Sequence, residues 1–273
     1  MGKLNDLQNE LEKLGRVAVA YSSGVDSTFL LLVAVNTLGR ENVLAITASS
    51  CSIPRREIEE ARIFCEQHRI EHIILDFDIL GVDGIEKNPV NRCYLCKKEL
   101  FSQIIQVAKD NSFSYVIEGS NADDVGDYRP GMKAIEELGV ISPLKECGLT
   151  KDEIRTISRE MNLETWKKPS FACLASRIVY GENLTKEKLL MVEAAEEKLL
   201  ELGIKQFRVR VHGNENCLAR IEIGDEEIEK LAQREIRENI TSSFKEIGFS
   251  FVSLDLQGYK MGNMNQSVKK VIK

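Results

Sequence analysis

The stretch Val17-Ala18-Val19-Ala20-Tyr21-Ser22-Ser23-Gly24-Val25-Asp26-Ser27 constrains the fold more than any other. An apolar, β-branched run stops at small residues, and Thr28-Phe29-Leu30-Leu31-Leu32 then restarts the chain with a dense apolar face. This order reads as strand, tight loop and helix. Such a loop aims several backbone N–H groups in one direction, with the helix dipole behind them. Ser22, Ser23 and Ser27 add hydroxyl donors, Gly24 permits close backbone approach, and Asp26 is a candidate ligand for magnesium. The chemistry suits the phosphates of a nucleotide. An ordinary strand-to-helix turn rich in small residues is the plain alternative.

No Gly-Lys-Ser/Thr follows the glycine, so the loop is not a Walker A loop. It resembles instead the Ser-Gly-Gly-x-Asp-Ser signature of the ATP pyrophosphatases, which adenylylate a substrate and release pyrophosphate. Ser23 stands where that signature has its first glycine. A serine there is expected to avoid the positive φ open to glycine, which would alter the loop slightly.

The rest of the chain extends this beginning into an α/β fold. Residues 1–15 read as an amphipathic helix. Asn42–Thr47 reads as a second, buried strand and His72–Phe77 as a third, separated by a helix that opens at Pro54. Tyr115–Ile117 is a fourth strand. Alternating strands and helices imply a parallel sheet with right-handed crossovers and a ligand crevice beyond the strands' carboxyl ends. Glu118-Gly119-Ser120-Asn121-Ala122-Asp123-Asp124 falls at such an end, either facing the crevice or forming a solvated turn. Thr150 and Glu153 form a capping-box pattern for a helix over Thr150–Met161. After Gly181 the character changes to a charged helix (Thr185–Leu202), strands at Phe207–Val211 and Leu218–Ile223, a helix over about Asp225–Arg237 and a strand at Ser250–Leu256. We therefore expect a nucleotide-binding domain over residues 1–180 and a smaller α/β domain over 181–273.

With 43% hydrophobic and 29% charged residues, the 273-residue chain has the composition of a globular protein. No apolar run approaches a membrane span and the N-terminus lacks a signal-peptide core, so a cytoplasmic location is expected. A net charge of −6 argues against broad binding to nucleic acid. Seven cysteines in a reducing compartment point to metal binding or catalysis rather than to a disulfide framework.

Cys93-x-x-Cys96 puts two thiols one turn apart near a helix start, where the dipole favours thiolate. A redox dithiol and two unrelated half-buried cysteines are competing readings. Cys173 adds a third thiol in a loop expected near the nucleotide, and three thiolates with one open position suit an iron–sulfur cluster better than structural zinc. Cys65 fits a helix's apolar pattern, whereas Cys51, Cys147 and Cys217 have no partner at ligand spacing. In Arg208-Val209-Arg210-Val211-His212 the two arginines share one face, as a phosphate site or as the charged side of a solvated edge strand. Arg177, four residues after Cys173, is a further cation near the reacting group.

Taken together, these stretches resemble one family closely: the ATP-dependent sulfur transferases called LarE, which make a nickel-pincer nucleotide cofactor. The likeness rests on the phosphate loop, Asn91-Arg92-Cys93-Tyr94-Leu95-Cys96, residues Glu118 to Asp124 and Gly126-Asp127-Tyr128-Arg129-Pro130-Gly131. Lys168-Pro169-Ser170-Phe171-Ala172-Cys173-Leu174-Ala175-Ser176-Arg177, Arg208 to Gly213 and Ala219 to Ile223 complete it. The resemblance implies an adenine nucleotide alpha hydrolase-like (PP-loop) domain that binds ATP and Mg2+ through Ala20, Ser22, Ser23, Gly24, Val25, Asp26, Ser27 and Gly119, with Arg177 close by. A carboxylate of a pyridinium mononucleotide would attack ATP, and sulfur at or near Cys173 would then displace AMP to give a thiocarboxylate. Arg208 and Arg210 would hold the substrate phosphate. In one branch of the family the cysteine at the Cys173 position is sacrificed; in another, three cysteines hold a [4Fe-4S] cluster that carries sulfide. Cys93, Cys96 and Cys173 match the cluster branch. Glu196 and Glu222 are candidate carboxylates for a further metal, and a homo-oligomer and an external sulfide or sulfur donor are also implied. The rival readings are a tRNA thiolase of the same superfamily and a non-catalytic iron–sulfur or sulfide carrier regulated by nucleotide.

Overall fold

The computed structural model describes residues 2–124, 130–169, 172–260 and 262–263. It divides into two compact units, Met1–Asp78 with Cys93–Phe171 and Ile79–Arg92 with Ala172–Lys273.

The first unit carries a four-stranded sheet of β1 (Val17–Ala20), β2 (Val43–Ser49), β3 (Glu71–Asp76) and β4 (Tyr115–Ile117) in the order β3-β2-β1-β4. All three pairings are parallel. β1 and β2 are buried along nearly their whole length, which is why they read as continuous apolar runs. One face is covered by α1 (Gly2–Leu14), α2 (Val25–Leu38), α3 (Arg55–His68) and, past two later helices, by Lys151–Glu160. Val17, Val19, Val43 and Ala45 pack there against Leu7, Leu11, Phe29, Leu30, Ala61 and Ile154. The alternate residues Ala18, Leu44 and Ile46 face the other way, onto Phe101, Ile104 and Ala108 of α4 (Arg92–Asp110) and Ile135 of α5 (Pro130–Glu137). A short α6 (Pro143–Glu146) precedes the Lys151–Glu160 helix, α7. Thr150 caps α7 with both hydrogen bonds of the capping box present. The strand order reverses between β1 and β4, so the loops leaving these two strands flank the place where such sheets bind ligands.

The second unit has a three-stranded sheet, β5 (Phe207–His212), β6 (Leu218–Ile223) and β7 (Phe251–Leu254), with β5 antiparallel and β7 parallel to β6. α8 (Lys186–Glu201), begun by Thr185 as N-cap, packs on β5 and on α10 (Arg234–Ile247). The single helix expected over 225–237 is instead a turn at Asp225–Glu227, a short α9 (Ile228–Ala232) and α10, broken at extended Gln233.

The division differs from a single cut near residue 180. Asn88, fully buried, donates its amide to the Ile178 and Val179 carbonyls at 3.1 and 2.7 Å. Gly181 N–H donates to Asn88 C=O and Leu184 N–H to Glu86 C=O. Residues 79–92 are thereby hydrogen-bonded into the second unit, ninety residues ahead of its main segment. No helix among the described residues is long and apolar enough to cross a membrane.

Candidate active site

β1 ends at half-buried Ala20, and the Tyr21 N–H still donates to Ile46 C=O at 2.8 Å. The Tyr21 ring is buried beside Phe64 and His72, so the loop springs from core rather than from surface. Ser22 N–H donates to Ser27 Oγ at 3.3 Å, the two hydroxyls lie 3.1 Å apart, and Ser27 Oγ–H donates to Gly24 C=O at 3.3 Å. Two of the three expected hydroxyl donors therefore brace the loop itself. The N–H groups of Val25, Asp26 and Ser27, in the first turn of α2, have no acceptor within the helix.

Ser23 corrects an expectation: it adopts φ +53°, inside the left-handed region, and is buried. A serine thus adopts the positive φ open to glycine, and Lys168 Nζ, which donates to both Ser23 C=O (3.0 Å) and Ser23 Oγ (3.3 Å), braces that conformation. Gly24, by contrast, has φ −76° and ψ 167°, which any residue adopts. A Cβ there would meet only Ser22 Oγ at 3.4 Å and Ser27 Oγ at 4.0 Å. Nothing inside the chain requires glycine at this position, which fits a need for space on the ligand side.

Around the loop stand groups brought by β4 and α7. Asp26 accepts from Asn121 Nδ2 at 3.3 Å and from Lys151 Nζ at 2.5 Å. Asp123 accepts from Lys151 N–H at 2.8 Å, tying the turn after β4 to the start of α7. Gly119 serves close packing: a Cβ there would lie 2.9 Å from Ser27 N and 3.1 Å from Ser27 Cα. The turn is not simply solvated, since buried Glu118 accepts from Ser120 N–H, Ser120 Oγ–H and Ser142 Oγ–H. Gly126 to Arg129, Ser170 and Phe171 lie outside the described residues. Sequence reasoning did not single out Lys151 or Lys168. Lys151 carried a signal, because a lysine in the first turn of a helix opposes the dipole.

Cys93 is exposed and Cys96 half-buried on the first turn of α4, both in the first unit. Cys173, exposed, precedes the turn Leu174–Arg177 of the second unit. None of the seven cysteines is in a disulfide, and burial pushes the Cys65 thiol up to about 12, in keeping with a core role. Among the described residues, no three His, Cys, Asp or Glu side chains are grouped so as to hold a metal ion.

In the second unit the expected cations are buried and largely committed. Arg177, with no exposed surface, donates from Nε and Nη2 to Glu196 at 2.8 and 2.9 Å. Its Nη1 donates to the carbonyls of Ala172 (2.6 Å) and Cys173 (3.3 Å) and to Ser176 Oγ (2.9 Å). It is placed to hold the backbone that carries Cys173. Arg210 donates from Nε and Nη2 to Glu222 at 3.0 and 2.7 Å and from Nη1 to Ser176 C=O at 3.1 Å. Arg208 donates to Phe207 C=O and lies 5.0 Å from the Tyr259 ring centroid; burial first, then neighbouring Arg177, bring its guanidinium down to about 10. β5 is thus buried along both faces and is not a solvated edge strand. Glu196 and Glu222, the candidate carboxylates for a further metal, are engaged by Arg177 and by Arg210 and Arg220.

A profile of the NAD synthase family matches residues 4–90, the part that contains β1, the loop and α2. An uncharacterised protein of Synechocystis is 41% identical over 98% of this chain and 98% of its own length. The pyridinium-3,5-bisthiocarboxylic acid mononucleotide synthase of Lactiplantibacillus plantarum, a LarE protein, is 35% identical over 95% of this chain and 92% of its own. The chain belongs to the LarE family. More distantly, a glutamine-hydrolysing GMP synthase component of Thermoplasma acidophilum is 29% identical over 70% of this chain and 66% of its own. As a LarE protein it is an ATP-dependent sulfurtransferase built on a PP-loop domain. One carboxylate at the loop, Asp26, fits the habit of Mg2+ in nucleotide sites, which takes one or two carboxylates and completes its shell with phosphates and water. The thiols of exposed Cys93 and Cys173 and half-buried Cys96 are of the soft donor type that iron–sulfur clusters require.

Proposed function

We propose that this LarE protein uses ATP to convert a carboxylate of a pyridinium dicarboxylate mononucleotide into a thiocarboxylate. The carboxylate oxygen attacks the α-phosphorus, pyrophosphate leaves, and an acyl-adenylate remains. A hydrosulfide-level sulfur then adds to the acyl carbon, AMP departs, and the proton passes to solvent. The product class is that named for the Lactiplantibacillus relative. The observation that carries the reading is the pair of ammoniums at the loop, Lys151 on Asp26 and Lys168 on Ser23, beside the open N–H groups of α2. Negative charge grows on the departing pyrophosphate, and cations and N–H dipoles fixed beforehand stabilise it without reorganising. Mg2+ at Asp26 would release Lys151 toward the phosphates.

The residues proposed for the nucleotide are Ala20, Ser22, Ser23, Gly24, Val25, Asp26, Ser27 and Gly119, with Arg177 beside them, and Arg208 and Arg210 are proposed for the substrate phosphate. At Arg210 a phosphate has to compete with buried Glu222. A [4Fe-4S] cluster on Cys93, Cys96 and Cys173 would supply the sulfur from an iron free of protein ligation. Sacrifice of Cys173 itself is the second reading, favoured by the exposure of its thiol. A homo-oligomer in the cytoplasm belongs to the same proposal.

Pyrophosphate release with the dicarboxylate mononucleotide, assayed beside unmodified tRNA, tests the function. Wild-type protein should respond to the mononucleotide alone, and Asp26→Asn should lose the activity while keeping its fold. A response to tRNA alone, or to neither, overturns the reading in favour of a thiolase or a carrier. Anaerobic reconstitution should give one cluster per chain, lost on any single Cys→Ala among the three. A chain lighter by hydrogen sulfide after one turnover, with no cluster formed, establishes the sacrificial route instead.

A further inference from the structure

Guanidiniums buried or half-buried in the second unit are otherwise matched to carboxylates. Buried Arg177 and Arg210 each face one within 3.0 Å, half-buried Arg220 is paired with Glu222 and Asp255, and buried Arg208 lies in the field of Glu196. Arg92 is only 4% exposed, yet no carboxylate among the described residues pairs with it. Its Nη1 donates to Asn88 Oδ1, and its plane lies over the Tyr180 ring, 5.1 Å from the centroid. Asn88 is neutral and spends its own amide hydrogens on two carbonyls. Nε and Nη2 of Arg92 have no acceptor among the described residues, and neither is among the fully enclosed orphan atoms. Removing a cation from water with only neutral partners leaves its desolvation uncompensated.

The sequence context compounds this cost. Arg92 is the first residue of the 19-residue α4, whose first turn contains no acidic side chain. A cation therefore sits at the positive pole of a long helix, where an anion belongs. When one residue breaks two local electrostatic rules in an otherwise consistent fold, a functional site is the usual reason.

We infer that Arg92 is a substrate-binding residue that takes a carboxylate, the one on the pyridinium ring that is not being activated. This rests on the proposed substrate. A single guanidinium with two free nitrogens matches the planar, singly charged carboxylate in a forked pair. A phosphate dianion would need a second cation, and Asn88 and Tyr180 supply none. The same contact makes Arg92 the residue that distinguishes a dicarboxylate ring from a monocarboxylate one.

The test is equilibrium binding, by calorimetry without ATP, of pyridinium-3,5-dicarboxylate mononucleotide and of its 3-monocarboxylate counterpart. Wild-type protein should prefer the dicarboxylate at least tenfold. Arg92→Met should abolish that preference while leaving the monocarboxylate affinity within about twofold, and Arg92→Lys, which keeps the charge but not the fork, should retain part of it. Equal wild-type affinity for the two ligands overturns the inference whether or not the variants fold. So does an unchanged preference in either folded variant, or an equal loss for both ligands, which would mark Arg92 as structural or as a phosphate ligand. Pyrophosphate release by wild-type protein decides the proposed function separately.

Discussion

Ser23 and Arg177 show how much a single side chain is asked to hold. A non-glycine residue in the left-handed region costs about 1–2 kcal/mol, and here Lys168 clamps it by two hydrogen bonds. Substituting Ser23→Gly and Ser23→Ala removes the hydroxyl in both cases and leaves the strain only in the second. The glycine variant should therefore be more stable by about 1 kcal/mol in urea unfolding; equal midpoints would mean that the turn relaxes. Arg177 combines a bidentate pair to Glu196 with three further acceptors around Cys173. Arg177→Met leaves Glu196 buried and uncompensated, a situation that costs about 3–5 kcal/mol. Adding Glu196→Gln should recover part of that loss in the same unfolding experiment, and a strictly additive double variant would show that the two groups are not coupled. The phosphate-loop residue types were legible because strand, loop and helix are contiguous. The commitment of Arg177 was not, because Glu196 lies nineteen positions away on another element.

At the scale of elements, the parts of the site are joined by close backbone approach as well as by the side-chain contacts of Asp26 and Lys168. β4 reaches α2 so closely at Gly119 that an added Cβ would sit 2.9 Å from a backbone nitrogen. Gly119→Ala must push the β4 turn, with Asn121, away from Asp26. Overpacking of this kind costs about 1–3 kcal/mol, and ATP affinity should fall with it. A variant with normal nucleotide binding, measured by calorimetry, would show that the turn is not needed at the loop. The elements themselves were largely readable. β1 to β4 follow from apolar runs, and the capping box at Thr150 and Glu153 fixed the start of α7. Two readings went differently for physical reasons. β5 alternates arginine and valine as a solvated strand would, but Glu222 on β6 pairs with Arg210 and α8 packs over the strand, so both faces are buried. α10 runs ten residues past the end expected at Arg237, along apolar positions at helical spacing, Ile236, Ile240, Phe244 and Ile247, up to Gly248.

At the scale of the whole molecule, residues 79–92 belong with a unit that the chain enters again only at Ala172, and no local pattern announces such a return. Asn88, buried in a left-handed turn, is the residue that makes it, through bonds to carbonyls some ninety positions on. Both units also share a dependence on neutral histidine. In the first, His72 lies between Tyr21 and Thr47, with Nε2 2.9 Å from Thr47 Oγ1, and burial holds its imidazole below the usual value of 6.5. In the second, His212 is held below 6.5 by burial and then by Arg220, whose Nε–H donates to His212 Nε2 at 2.9 Å. A proton on that nitrogen would set two donors against each other. Because both folded values are depressed, the unfolded chain binds more protons once the pH drops below about 6.5. The stability these residues contribute is therefore complete above about 6.5 and is lost progressively as the pH falls from there toward the folded values. Urea midpoints should be flat between about pH 8 and 7 and decline clearly by about pH 5.5. His72→Gln and His212→Gln, which keep a hydrogen-bonding group but cannot titrate, should each shrink the decline. If both variants lost stability with acid as steeply as wild type, the sensitivity would have to lie in the carboxylates rather than in these two rings.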